Sequence, residues 1–383
     1  MIKGIKTLDD FNFKGKRVLV RVDINSPFSG NKIQDNERIE SSGATIREIQ
    51  KNGGRVVVIA HQGQPDKSDF KSLRQHAKLL KRYCKIKFVD DLIERKALAE
   101  IDGLNNGEAI LLENIRFEKD EYSPRKKGNK IVEAFKDRFD VYINDAFSVS
   151  HREHVSIVSF PRYMKSGIGR TFERELKNVG KIELGKTLFV LGGNKTEDLM
   201  PLIEKKENKI LATGVLGILC NMLEGYRFGL EDRVKKKVIG NLKKSLKREL
   251  RHIRTPSDYG FLVNGKRVDK KLEELPVSSR ALDIGKETIK RYEREIAKAR
   301  YVFMKGTAGD CGKKGFCFGT RRLLKAMEKS KAFCVVAGGH SSSAVDKLGI
   351  NKKKLGYVSL SGGALVKFIS GEKLVGIKSL RRR

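Results

Sequence analysis

Arginine recurs in this chain directly after short apolar runs. Arg21, Asp23 and Asn25 follow the start of RVLVRVDI, with Arg38 close behind. His61, Gln62, Gly63 and Gln64 follow RVVVIA, Arg116 follows EAILLEN, and Arg152 follows VYINDAF between His151 and His154. A guanidinium presents a fixed planar fork of donors that suits carboxylate and phosphate oxygens. One such arginine reads equally well as the partner of a nearby carboxylate. Four arginines and a histidine at successive run ends point to an anionic ligand. A second set is glycine-rich. Gly192, Gly193, Asn194 and Lys195 follow KTLFVL, and Gly338, Gly339, His340 and Ser341 follow AFCVVA and open the pattern SSAVDKLG. Backbone N–H groups at a helix start favour an anion. Close packing alone also explains many such glycines. Lys195 would add a mobile cation, although no G-x-x-x-x-G-K-[ST] motif is present. Together the two sets suit transfer of a phosphoryl group from a nucleotide to an anionic acceptor, a reaction that needs positioning and charge neutralisation more than an acid–base pair.

Elements must bring these segments together. The runs at 17–24, 55–60, 86–90, 108–114 and 141–145 read as strands, alternating with helical patterns at 37–53, 70–84 and 129–139. Such alternation predicts right-handed βαβ units and a parallel sheet, with ligands at the strands' carboxyl ends. After a helical pattern at 169–181 the alternation restarts, with strands predicted at 186–193, 209–214, 299–306, 332–339 and 356–363. The expected architecture is α/β: two similar-sized lobes, each a doubly wound parallel sheet of Rossmann-like type, joined by a hinge helix. The expected boundaries are 1–168 for an acceptor lobe, 169–185 for the linking helix, 186–355 for a nucleotide lobe and 356–383 for a tail docking at the lobe junction.

The 383 residues carry 81 Lys and Arg against 47 Asp and Glu, a net charge of +34, and 39% are hydrophobic. Wholesale disorder is excluded. No run of 18 apolar residues predicts a membrane span, and the start lacks the pattern of a secretory signal. Cys84, Cys220, Cys311, Cys317 and Cys334 contain no C-x-x-C pair. They are read as packed thiols of a reducing cytoplasm, with neither a disulfide framework nor a structural metal site expected. The charge predicts anionic partners. The lysine-rich segment 233–254 reads as a solvated helix face, and together with 351–354 and 378–383 it leaves weak, non-specific nucleic-acid binding as an alternative. His76 and His252 read as surface residues.

In order and spacing, RVDINSP with the D-x-x-RI at 35–39, AHQGQP, LLENIRF, YINDAFSVSHREH, LFVLGGNK, LDIGKETI, CVVAGGHSSSAVDKLG and VSLSGGALVKFISG resemble the motifs of the phosphoglycerate kinase family over essentially the whole chain. HQG and GGH resemble its archaeal branch. The resemblance implies reversible phosphoryl transfer between ATP and 3-phosphoglycerate, giving ADP and 1,3-bisphosphoglycerate, with Mg2+, in a cytoplasmic, monomeric enzyme of glycolysis and gluconeogenesis. It implies that Asp23, Asn25 and Arg38 hold the acceptor's carboxylate and hydroxyl, that His61, Arg116 and Arg152 hold its phosphate, and that Arg21, Gln62, Gly63 and Gln64 belong to the same substrate site. It makes Arg38 and Lys195 catalytic. It places Gly192, Gly193, Lys195, Lys305, Asp310, Gly312, Gly338, Gly339, His340 and Ser341 around the nucleotide. The chain departs from the family pattern in several places. Gln64 stands for an arginine, and Leu199 for a second lysine. The segment Lys305–Gly312 replaces N-G-P-x-G-V-F-E, so that Asp310 is left to substitute for a ribose-binding glutamate that falls on Gly312. Two glycines, Gly362 and Gly363, remain of three. A family member with altered donor or acceptor is therefore the other alternative.

Overall fold

The apolar runs become strands buried on both faces, as parallel sheets require. The computed structural model describes residues 4–381, without the side chains at 29, 231, 233–239 and 241. The chain forms two compact units, residues 1–177 with 373–383, and residues 178–372.

In the first unit six parallel strands lie in the order Lys87–Phe88, Ala109–Leu111, Arg55–Ile59, Arg17–Val22, Val141–Asp145 and Lys165–Ile168. Val20 pairs with Val58 on one side and Ile143 on the other, and all three are fully buried. Helix Glu37–Lys51 lays Ile39, Ile46 and Ile49 on the sheet. Asn36 caps it, accepting from the Arg38 N–H, which fixes where Arg38 leaves the chain. The short helix Val375–Leu380 also belongs to this unit. Its Gly376 N–H donates to the Ser150 carbonyl at 2.8 Å, an approach that a Cβ would block.

The second unit repeats the plan. Its strands run in the order Ile253–Arg254, Lys209–Ala212, Thr187–Leu191, Tyr301–Lys305, Phe333–Ala337 and Gly356–Ser359, all parallel. The two six-stranded parallel sheets are the expected α/β architecture. The long helix Leu230–Glu249 carries the lysine-rich segment. Leu242 and Leu246 are buried while Lys243, Lys244 and Lys247 are exposed, and the expectation for 233–239 falls on side chains outside the described residues. The same holds for 382–383 of the basic C-terminus.

Several expectations are corrected. A three-stranded antiparallel sheet of Lys266–Lys271, Asp258–Val263 and Ala281–Ile284 was not foreseen. Its outer strand reads KRVDKK, too charged to resemble a strand, yet it pairs along its whole length with Asp258–Val263, Val268 opposite Phe261. The Asn264-Gly265 turn, both residues at positive φ, was the available hairpin signal. His76 is not at the surface. It shares the buried face of helix Arg74–Leu80 with Ala77 and Leu80, its Nε2 lies 3.0 Å from Gln62 Oε1, and burial pushes the imidazole down to about 4. His252 is half-buried. Cys311 and Cys317 form a disulfide, whereas Cys84, Cys220 and Cys334 are buried thiols. Reasoning from C-x-x-C spacing overlooked that a turn containing Gly312 and Gly315 folds the two Cα atoms to 4.2 Å.

At the carboxyl ends of the second sheet the backbone is interlocked. The Gly192 N–H donates to the Lys305 carbonyl at 2.8 Å and Gly193 N–H to the Thr307 carbonyl at 3.0 Å. Gly306, at φ +84°, has room for no Cβ, which would fall 2.1 Å from the Gly192 carbonyl oxygen. Gly306→Ala is expected to destabilise the protein by about 3 kcal/mol through this clash and the left-handed φ. A fall in the urea midpoint checks it.

Candidate functional site

Two sites emerge, one in each unit, both at strand carboxyl ends. In the first unit, Arg21 sits near the end of strand Arg17–Val22 with no exposed surface. Its Nε donates to Ser156 Oγ at 3.0 Å, Nη1 to the Val22 carbonyl, and Nη2 to His61 Nδ1 at 3.1 Å. Burial and the charge of Arg21 push the His61 imidazole well below the usual histidine range, so it is neutral. Asp23 pairs with Arg38 and accepts from the Ser148 hydroxyl. Burial alone would raise the Asp23 carboxyl, but Arg38, the Ser148 hydroxyl and Arg21 hold it well below the usual carboxylate range. Asn25 Oδ1 accepts from the Gly63 N–H at 2.9 Å, tying the loops after the two central strands together.

Arg116 is the informative side chain. It is 3% exposed; its Nη1 donates to the Gly63 carbonyl, while Nε and Nη2 are buried with no hydrogen-bond partner. Burial, reinforced by Arg152 and Arg21, pushes its guanidinium down to about 10. A buried cation beside other cations with idle donors is costly unless an anion completes it. Arg21, His61, Arg116 and Arg152 are thus one electrostatically coupled cluster. Gln62 and Gln64 are not part of it in the same way. The Gln62 amide is consumed by Ser26, Asp69 and His76, fixing the loop, and Gln64 is exposed. Three residues that sequence reasoning passed over lie around the cluster: buried Glu121 and Ser156, and exposed Tyr122, whose ring meets His154 edge-on. Neither the charged segment Lys119–Ser123 nor the VSIV run that holds Ser156 carries a sequence signal for such a role.

In the second unit a cavity of about 510 Å3 is lined by Gly193, Asn194, Asp310, Cys311, Gly312 and His340 among others, with Val215, Ile218 and Tyr259 giving it an apolar wall. That volume suits a nucleotide. Helix Gly339–Lys347 starts here, without a side-chain cap, and His340, Ser343 and Lys347 line the cavity. The two glycine pairs, alike in sequence, differ in kind. Gly192 packs against Thr213 and Thr307, whereas nothing lies within 4 Å of where a Cβ would sit on Gly338 or Gly339. The first pair closes backbone on backbone; the second leaves a helix N-terminus bare. Ser341 is buried, its Oγ accepting from the Gly306 N–H at 3.0 Å.

Lys305 ends the central strand, 8% exposed, with Nζ 3.9 Å from Asp198 Oδ2. Burial lowers its ammonium, Asp198 opposes this, and nearby Lys195 adds to it. Lys195 itself is exposed. Asp310 Oδ1 accepts from the Gly312 N–H at 3.0 Å, and the Cys311–Cys317 disulfide pins this loop. Among the described residues, no group of three His, Cys, Asp or Glu is placed to hold a metal ion. Magnesium carried on nucleotide phosphates needs no such group, since it keeps several waters and takes one or two protein ligands. The bare helix start and paired lysines fit phosphate oxygens.

The contrast between the glycine pairs is testable. Gly339→Ala should leave stability within about 0.5 kcal/mol of wild type, as an open surface substitution does. Titration calorimetry should show nucleotide affinity falling roughly tenfold, about 1.4 kcal/mol; unchanged affinity would remove the helix start from the site.

The phosphoglycerate kinase family model matches residues 8–372. A phosphoglycerate kinase of Archaeoglobus fulgidus is 36% identical, with 100% of this chain and 97% of that protein aligned, and one of Methanothermus fervidus is 36% identical over 98% and 96%. The crystal structure of phosphoglycerate kinase from Pyrococcus horikoshii superposes with a TM-score of 0.88 at 30% identity, covering 98% of each chain. With two six-stranded parallel sheets, an arginine cluster in one unit and a nucleotide-sized cavity in the other, the chain belongs to the phosphoglycerate kinase family.

Proposed function

We propose that the chain transfers a phosphoryl group reversibly between ATP and the carboxylate of 3-phosphoglycerate, in the cytoplasm and as a monomer. The observation that carries the assignment of the acceptor to the first unit is Arg116, buried with two idle N–H donors beside Arg21 and Arg152. His61, Arg116 and Arg152 hold the acceptor's phosphate. Asp23, Asn25 and Arg38 hold its hydroxyl and carboxylate, the Asp23–Arg38 pair keeping Arg38 oriented until substrate arrives. In the second unit the N–H groups at Gly338–Ser341 face the nucleotide phosphates, and Lys195 follows the transferring group. Magnesium, when bound, supplies charge neutralisation on those phosphates. The protein's part is electrostatic: fixed cations answer charge that spreads over the phosphoryl oxygens, and no side chain must take a proton from the carboxylate acceptor.

Gln64 leaves the acceptor site with fewer cations than the family pattern, and the disulfide-pinned loop at 310–317 sets the nucleotide end apart. A panel of nucleoside triphosphates and phosphorylated acids reads whether donor or acceptor preference has moved with them.

A coupled assay with ATP, magnesium and 3-phosphoglycerate, run in both directions, tests the reading. Arg116→Ala should raise the acceptor KM by at least about 100-fold, since it removes two charged hydrogen bonds worth about 1.5–3 kcal/mol each. Lys195→Ala should lower kcat more than it changes the acceptor KM. Turnover unaffected by Arg38→Ala would sink the site assignment.

A further inference from the structure

Beneath the arginine cluster of the first unit runs a chain of hydrogen bonds in which every direction is settled by chemistry. Arginine only donates. The Arg21 Nε–H therefore donates to Ser156 Oγ, at 3.0 Å, and the Nη2–H donates to His61 Nδ1, at 3.1 Å. With its oxygen accepting from Arg21, the Ser156 hydroxyl turns its proton to Glu121 Oε1, at 2.5 Å, while the Ser156 N–H donates to Glu121 Oε2 at 2.9 Å. Glu121 is fully buried, so both carboxylate oxygens are spent on one residue's hydroxyl and amide. At the other end, His61 Nδ1 must present a lone pair, which places the proton of the neutral ring on Nε2. That Nε2 has no hydrogen-bond partner among the described residues. Around the carboxylate, Arg21 and Arg116 draw the charge in, Tyr122 and Tyr142 are nearby, and His154 Nδ1 lies 3.7 Å from Oε1. Burial pushes the Glu121 carboxyl up to about 6, which leaves it ionised at neutral pH.

We propose that Glu121 is a positioning residue: through Ser156 and Arg21 it fixes His61 as an uncharged imidazole that offers its Nε2–H to the acceptor's phosphate. The proposal rests on the acceptor reading above and deepens it. It divides the work at the phosphate. Arg116 and Arg152 answer the charge, while His61 supplies direction through a neutral donor whose tautomer cannot turn over. Glu121 touches no substrate. Its charge offsets part of the repulsion among Arg21, Arg116 and Arg152, and its geometry sets which ring nitrogen faces outward.

Long-range 1H–15N spectra of the substrate-free protein read the tautomer directly. Wild-type His61 is expected as the Nε2–H form, uncharged through the usual histidine range. An Nδ1–H ring overturns the proposal. Glu121→Gln should leave kcat within about threefold, raise the acceptor KM roughly tenfold and give a mixture of tautomers. A folded Glu121→Gln protein with an unmixed Nε2–H ring and wild-type KM also overturns it. Should that variant not fold, His61→Gln and His61→Asn decide. Glutamine places an amide donor near the Nε2 position and asparagine near Nδ1. Acceptor KM is expected to rise for both, roughly tenfold more for asparagine than for glutamine; the reverse order, or no difference, overturns the assignment. The spectra need no substrate, so failure of wild-type turnover with 3-phosphoglycerate would count against the acceptor reading and not against the relay.

Discussion

A charge placed inside the end of a parallel sheet governs the first unit. Arg21 cannot lose its proton and has no exposed surface, so its charge must be met within the protein on every side. Its neighbours follow from that requirement. One carbonyl, one hydroxyl and one imidazole nitrogen take its donors, Glu121 lies behind the hydroxyl, and Asp23 lies ahead on the same strand end. The two central strands carry Arg21 and His61 at neighbouring ends, in a register where Arg21 pairs with Ile59, two residues before His61. A slip of one residue would turn every alternate side chain to the other face and scatter the cluster. The apolar pairing of Val20 with Val58 is therefore also what keeps the polar network assembled.

The second unit solves a different problem. Three loops must meet at the ends of adjacent strands with no side chains between them, and glycines at 192, 193, 214 and 306 permit it. The resulting knot of backbone is rigid because its N–H and carbonyl groups satisfy one another. The helix that starts at Gly339 stands beside this knot with its own first N–H groups unoccupied by any side-chain cap. Rigid backbone on one side and unspent donors on the other is a sound basis for gripping phosphate without rearrangement.

Much of this was legible in the residues. The strand runs were apolar and continuous because both faces are covered, so their positions could be read closely, and whatever followed each run had to sit at a carboxyl end. Arg21, His61, Arg116 and Arg152 converge as their places in the runs imply. The rest was hidden for physical reasons. Strand Lys266–Lys271 gains its order from pairing rather than from apolar content. His76 looks polar by type but lies on the helix face that the core claims. Glu121 and Ser156 are common residues whose meaning comes only from where Arg21 points. The glycine pairs could not be told apart by letters, because the difference is what stands opposite their missing Cβ atoms.

The helix Val375–Leu380 gives the first unit an unusual history. Gly376 bonds to Ser150, Val375 packs with Ile157 and Val158, and the Ser379 hydroxyl reaches the Ile157 carbonyl. That helix rests on the turn Val155–Val158, which carries Ser156. During synthesis the ribosome must therefore make the whole of residues 178–372 before the turn under Arg21 receives its last support. The first unit can collapse early around its sheet, but its anion-binding end matures only when helix Val375–Leu380 arrives. Vectorial synthesis thus leaves the buried cations waiting for a segment made only after the entire second unit.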